Sequence, residues 1–231
     1  MNTSLDRQAS EVPHDVRPRW SILIPAYNPS DLLRDAIASA QTSIAVTGEV
    51  AQLEIVDDAS SEVDVGSLVR SWGFHSVAVH RRSTNGGLGA CWNDCIARAR
   101  GELIHILHQD DLVKPPFYES MGRLAAMVPT AGMYFCRTEF LHESGAWLDE
   151  LEQSDSGLVA HWLERICERQ RLQCPSVVVR RGTYERVGSF ETSLRYAIDW
   201  EMWIRIAASH VEGAEIGFHR PDKRQRGTAP K

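Results

Sequence analysis

Between residues 20 and 127 a short apolar run followed by a segment of helical period occurs four times. "WSILIP" (20–25) is stopped by Pro25 and reads as a buried strand. Ser30 is placed to cap a helix to about Thr42, in which Leu32, Leu33, Ala36, Ile37 and Ala40 share one face. "LEIVDDAS" (53–60), "HSVAVH" (75–80) and "ELIHILH" (102–108) are the next three strands. Their helices are expected at 61–72, at 90–100, and from Pro115-Pro116 to about Met127, prolines being tolerated in a first turn. Such alternation requires βαβ units, a largely parallel sheet with helices on both faces. In open α/β sheets the ligand crevice lies outside the carboxyl ends of the strands. The unusual residues fall at those ends: Pro25-Ala26-Tyr27-Asn28, Asp57-Asp58 and Asp110-Asp111. Three polar clusters from three strand ends therefore converge on one site.

Adjacent carboxylates at 110 and 111 repel, and acids in a cleft raise one another's pKa unless a cation or hydrogen-bond donors compensate. A divalent ion is the economical compensation. Mg²⁺ or Mn²⁺ prefers carboxylate oxygen, takes one or two protein carboxylates, and completes its shell with water and substrate phosphates. The alternative, in which one aspartate caps the next helix, fits less well, because Pro115 or Pro116 at the first helical position puts the cap near Lys114. The phosphate-loop pattern GxxxxGK[ST] is absent. "STNGGLG" (83–89) offers Gly87-x-Gly89 without a third glycine and does not follow the first strand, so a dinucleotide fingerprint is unsupported. That cluster reads as a tight loop before a helix, with or without a ligand-facing role. A nucleotide bound here would rely on metal and acids.

The 231 residues, 43% hydrophobic and 24% charged, suit one α/β domain or one with a smaller appendage. A net charge of −6 gives no reason to expect nucleic acid as a partner. From His219 onward, Arg220, Lys223, Arg224, Arg226 and Lys231 face only Asp222; a solvated terminus and contact with phosphate or lipid headgroups both fit. The five cysteines (91, 95, 136, 167 and 174) form neither a disulfide framework nor a zinc pattern, and read as buried thiols of a reducing compartment. No run approaches the roughly 18 apolar residues of a membrane helix. Residues 1–19 lack the apolar stretch of a signal peptide, so the cytoplasm is the expected location. Beyond residue 136 the pattern loosens into a strand (175–181), a turn with a short helix, an apolar-faced helix (199–208) and a last strand (212–220). The expected organisation is a flexible tail (1–19), one domain (20–220) in halves 20–135 and 136–220, and a basic tail (221–231).

"SILIPAYN" (21–28), "EIVDDAS" (54–60), "NGGLGACWN" (85–93), "GELIHILHQDD" (101–111), "PSVVVRRGTYERVGSF" (175–190) and "DWEMWIRIA" (199–207) occur in an order that resembles the family 2 glycosyltransferases. The resemblance covers about residues 20 to 220. It implies the GT-A fold, a nucleoside-diphosphate sugar donor with UDP favoured, a Mn²⁺ or Mg²⁺ ion, and inversion at the anomeric carbon. Carried across by position, Pro25, Tyr27 and Asn28 match the first-strand motif bordering the base, with Tyr27 stacking on it and Asp58 accepting a hydrogen bond from it. Asp57 is either turned toward the protein or facing the ligand. Asn85, Gly86 and Asn93 match the glycine turn and helix that flank the donor. Asp110-Asp111 match the DXD-type element, with Asp111 on the metal and Asp110 near ribose or metal. Asp199 matches the catalytic aspartate, which must reach the acceptor hydroxyl; the competing reading is a helix N-cap. Glu201 lies about 200° around that helix and faces elsewhere. Arg205 is expected to pair with an acid or pack, Trp203 to be core, and Trp200 to be either core or acceptor wall.

Three positions depart from the family pattern. His108 stands where many members carry the first acid of DxDD, Trp92 replaces a frequent arginine, and Ile198 replaces the glutamate of a Glu-Asp pair. His219 is the candidate for a late histidine completing the metal shell. Without a processive QxxRW-type element, transfer of one sugar to a carbohydrate or lipid-linked acceptor is the expected reaction, with the basic tail able to touch the inner membrane face. A sugar nucleotidyltransferase is disfavoured, since "IPAYNPSDLLR" (24–34) has neither a GxGTR-like loop nor a lysine. A catalytically silent GT-A domain, binding a nucleotide sugar or a partner protein, is the rival of a different class.

Overall fold

Residues 17–141, 147–149, 157–170, 172–209 and 216–219 are described by the computed structural model. The fourfold alternation is present. Strands β1 (Trp20–Ala26), β2 (Ala51–Asp57), β3 (Ala78–Arg81) and β4 (Leu103–Ile106) each precede a helix. These helices are α1 (Leu32–Ala45), α2 (Val65–Ser71), α3 (Leu88–Arg98) and α4 (Phe117–Met127). The second half adds β5 (Met133–Cys136), the antiparallel pair β6 (Glu139–Leu141) and β7 (Trp147–Asp149), and β8 (Gly157–Leu158). Then follow α5 (Trp162–Glu168), a 3-10 turn (Cys174–Ser176), β9 (Val177–Arg180), α6 (Arg181–Val187), α7 (Ile198–Ala208) and β10 (Ile216–His219).

The main sheet runs β3-β2-β1-β4-β9-β5-β10-β8. Its β1–β2, β1–β4, β2–β3 and β5–β10 pairs are parallel, whereas β9 is antiparallel to both β4 and β5, and β8 to β10. The parallel half is therefore joined to the rest through one reversed strand. Along β1 the period of two divides the core: Ile22 and Ile24 pack with Leu33, Ala36 and Leu124 on one face, while Leu23 packs with Trp92, Cys95 and Trp203 on the other. Both faces of β1 are buried, as a central strand of an α/β sheet requires.

Some boundaries differ from expectation. Ser30 precedes α1 rather than capping it outright; its Oγ accepts from the Leu32 N–H at 3.3 Å and Asp31 holds the cap position. Pro116 is the cap residue of α4 and lies just outside it, so the helix starts at Phe117 and not at a proline. The strand β5 and the helix α5 are additions to the sequence expectation, although Pro129 and Gly132 mark a turn just before β5. The cysteines are all free, but Cys167 is exposed and Cys136 only half-buried, which corrects the expectation that all five are buried. Among the described residues no helix is long and apolar enough to cross a membrane. The tails beyond 17 and 219 lie outside the described residues.

Candidate active site

The site is built where the strands end. Pairing of β1 with β4 stops at Leu23↔Ile106, so buried Pro25 stands where the two strands part and a crevice opens. The next residue but one, Tyr27, is 44% exposed. Its backbone N–H donates to Gln109 Oε1 at 3.0 Å, and Gln109 Nε2 returns a bond to the Tyr27 carbonyl at 3.4 Å. The loops after β1 and β4 are thereby stitched together. Asn28 has φ 42°, a left-handed value that asparagine tolerates better than most residues. That geometry turns its Oδ1 onto the N–H groups of Ser61 (2.9 Å) and Glu62 (3.1 Å), while its own N–H meets Ser60 Oγ at 2.9 Å.

After β2 the two acids divide their work. Asp57 is turned into the protein, where Arg81 pairs with Oδ2 at 2.7 Å and the Ser60 N–H donates to Oδ1 at 2.9 Å. Asp58 is also buried. It receives the Gly86 N–H at 3.0 Å and the Gly87 N–H at 2.9 Å, and pairs with Arg82. The glycine turn thus hangs from the end of β2. Asn85 tightens it by accepting from the Gly87 N–H at 3.1 Å. A side chain at Gly86 would place its Cβ 2.5 Å from the Arg82 guanidinium, which explains the glycine. Asn93, on α3, spends its amide on Phe190: it donates to the carbonyl at 2.9 Å and accepts from the N–H at 2.7 Å. Its side chain is a clamp between the two halves.

At the end of β4, His108, Asp110 and Asp111 bring one possible ligand atom each within 4.8 Å of the others. His108 Nδ1 lies 3.4 Å from Asp111 Oδ2. The donor set of one imidazole nitrogen and two carboxylates fits a divalent ion. His108, expected only to stand in place of an acid, joins the cluster itself; its position beside two aspartates at a strand end is the sequence signal for that. His219 ends β10 in register with Cys136, and its side chain lies outside the described residues.

Asp199 sits in the first turn of α7 but is not its cap: Ala197 holds that position at φ 58°. The N-cap reading is therefore corrected. The carboxylate accepts from the Trp200 N–H (2.8 Å, Oδ1) and from Gln170 Nε2 (2.8 Å, Oδ2). Burial raises its pKa above the ordinary aspartate value, opposed by those donors. Burial pushes the Cys174 thiol up, with Asp199 and Asp111 adding to the rise. Nearby, Trp200 donates its indole N–H to the Ile166 carbonyl at 2.6 Å, Trp203 is core, and Arg205 pairs with Glu201 at 2.7 Å. A half-buried carboxylate held by two donors is a group that could take up a proton.

The family model for Glycosyl transferase family 2 matches residues 21–148. An uncharacterized glycosyltransferase of Rickettsia typhi is 27% identical over 81% of this chain and 58% of its own length. The succinoglycan biosynthesis protein ExoO of Rhizobium meliloti is 35% identical over 51% of this chain and 32% of its own. The chain thus spans less than two thirds of these relatives. Among solved structures, Staphylococcus aureus TarS 1-349 in complex with UDP-GlcNAc superposes with TM-score 0.69 at 17% identity, covering 87% of this chain and 56% of that one. Mannosyltransferase PcManGT from Pyrobaculum calidifontis, in complex with GDP-Man and Mn²⁺, gives TM-score 0.59 at 18% identity, covering 91% and 59%. The architecture is the GT-A fold.

Proposed function

Since the chain belongs to glycosyl transferase family 2, we propose that it moves one sugar from a nucleoside-diphosphate sugar to an acceptor hydroxyl with inversion. The observation that supports this reading is the cluster of His108, Asp110 and Asp111 at the end of β4, a donor set that fits a divalent ion. Tyr27 offers an exposed ring to the base, and Asp58 holds the glycine turn of Asn85 and Gly86 beside it. Asn28 and Asn93 shape the walls through the backbone bonds they make. Asp111 and Asp110 would hold Mn²⁺ or Mg²⁺, with His219 as a further candidate from sequence. Such an ion supplies Lewis-acid stabilisation to the departing diphosphate. Asp199 takes the proton from the acceptor hydroxyl as that oxygen attacks the anomeric carbon and the nucleoside diphosphate leaves from the opposite face. Gln170 and the Trp200 amide hold the carboxylate in place for that transfer.

UDP is the favoured carrier, a reading supported by the TarS complex with UDP-GlcNAc. Succinoglycan is a polysaccharide, so the likeness to ExoO favours a carbohydrate or lipid-linked acceptor. The test is titration of UDP, GDP and dTDP with Mn²⁺ and with chelator, followed by release of nucleoside diphosphate from the matching sugar donors. Asp199→Asn is expected to bind donor as the wild type does and to lose about 10²- to 10⁴-fold in turnover, the usual worth of a general base. Equal turnover would remove Asp199 from the mechanism. Affinity for a nucleotide sugar without diphosphate release from any acceptor pool would favour the silent binding domain.

A further inference from the structure

Trp92 on α3 and His108 in the turn after β4 lie against each other. The Trp92 and His108 rings stack with centroids 5.3 Å apart and planes 16° from parallel. Trp92 is itself buried and backed by Phe190 at 4.9 Å, whose backbone Asn93 clamps. The imidazole is therefore held in one plane by an aromatic stack rooted in the core. Its Nε2 is buried and meets no partner among the described residues. The other ring nitrogen, Nδ1, lies on the side of the carboxylates, 3.4 Å from Asp111 Oδ2. The turn that carries these groups is closed by the Asp111 N–H on the His108 carbonyl at 3.3 Å, and Gln109 is occupied by Tyr27. Of the four residues from 108 to 111, three are thus left with side chains pointing to one place.

We propose that His108 Nδ1 is a metal ligand, making the divalent-ion site a mixed nitrogen and oxygen site that favours Mn²⁺ and Co²⁺ over Mg²⁺. The proposal rests on the metal-dependent reading above and goes beyond it in naming the ligand and the ion class. Mg²⁺ asks for oxygen in a near-ideal octahedron and dehydrates reluctantly, whereas later first-row divalent ions accept imidazole readily. A neutral imidazole also adds a ligand without a third negative charge, so Asp110 and Asp111 alone balance a divalent ion. Metal-bound histidines are normally oriented by a hydrogen bond on the far nitrogen. Here the far nitrogen is buried without one, and the Trp92 stack fixes the ring plane instead.

The experiment uses the full chain with UDP and Mn²⁺. Pulsed electron paramagnetic resonance of the bound Mn²⁺ is expected to show ¹⁴N coupling in the wild type and none in His108→Asp or His108→Asn. Titrations of Mn²⁺ and Mg²⁺ run alongside: His108→Asn should weaken Mn²⁺ at least about tenfold, the size of loss that even a metal ligand's outer partners produce. His108→Asp should bring the Mn²⁺-to-Mg²⁺ affinity ratio toward one. Trp92→Leu should keep the nitrogen coupling while weakening Mn²⁺. An absent coupling in the wild type, or the same affinity ratio in wild type and His108→Asp, would overturn the proposal and leave His108 as a simple ion-pair partner of Asp111. Failure of the wild type to hold any ion would overturn it too. In that case UDP binding in chelator reports separately whether the nucleotide-sugar reading stands.

Discussion

Asp199 meets its two donors on different oxygens, the Trp200 amide on Oδ1 and Gln170 on Oδ2. Each donor favours the charged carboxylate, and burial disfavours it. Burial also pushes up the Cys174 thiol, and Asp199 adds to that rise. Removing the Gln170 donor leaves burial less opposed, so Gln170→Ala should raise the Asp199 pKa further. A base works only when deprotonated. The acidic limb of the turnover profile should therefore move to higher pH in this variant, with the loss largest at low pH and small on the alkaline side. A uniform loss at all pH values would mean that Gln170 shapes the loop and does not act on Asp199. Gln170 was invisible in the sequence because it sits 29 residues from its partner on a loop without pattern.

At the scale of elements, α3 is tied at its entry and at its middle to strands and loops of the site. Asp58 holds its entry through Gly86 and Gly87, and Asn93 holds the Phe190 loop. The Gly87 cap at φ 78° lets the chain turn from the donor loop into the helix. Replacing Asn93 by Leu keeps volume in the helix but strips both partners from the Phe190 backbone, which then has to desolvate unpaired. The expected cost is about 1 to 3 kcal/mol, the penalty for a polar group left unsatisfied. Urea unfolding would check it; a variant as stable as wild type would mean that the loop finds other donors. A reader of the sequence could place "NGGLGACWN" before a helix, yet could not see that its asparagine reaches across to residue 190.

Across the whole molecule, His105 joins the sheet to α4 and to the 3-10 turn before β9. It lies in β4 and is fully buried. Its Nε2 faces the Pro175 carbonyl at 2.9 Å, and its Nδ1 faces the Tyr118 hydroxyl on α4 at 2.9 Å. A carbonyl can only accept, so Nε2 carries the proton and Nδ1 accepts from Tyr118 in the neutral ring. Burial drives its pKa from 6.5 down to about 4. Above 6.5 neither the folded nor the unfolded chain protonates this ring, and its contribution to stability is intact. Below that, the unfolded chain takes up a proton that the folded chain refuses, so stability falls from pH 6.5 toward 4 and levels off beneath it. The drop attributable to this residue is about 3 kcal/mol at most, at 1.36 kcal/mol per unit. Denaturant midpoints between pH 7 and pH 4 should show it, and His105→Gln should flatten that part of the profile. An unchanged profile in the variant would assign the acid sensitivity to other groups.

The repeated change of hydrophobic period was enough to determine the α/β class, the four strands of the parallel half, and the rule that Pro25, Asp57, Asp58, Asp110 and Asp111 lie along one sheet edge. Those properties are local: a strand's burial and its end are written in neighbouring residues, and parallel connection then puts like ends together. Which of these groups face the crevice was decided by tertiary structure. Asp57 turned inward to Arg81, Asn93 turned to Phe190, Asp199 was released from capping by Ala197, and His108 became a neighbour of Asp111 held by Trp92. The reversed strand β9 was likewise set by tertiary structure, since "PSVVVRR" reads as a strand without a direction. Side-chain orientation depends on partners far away in the chain, and no period within one segment records them.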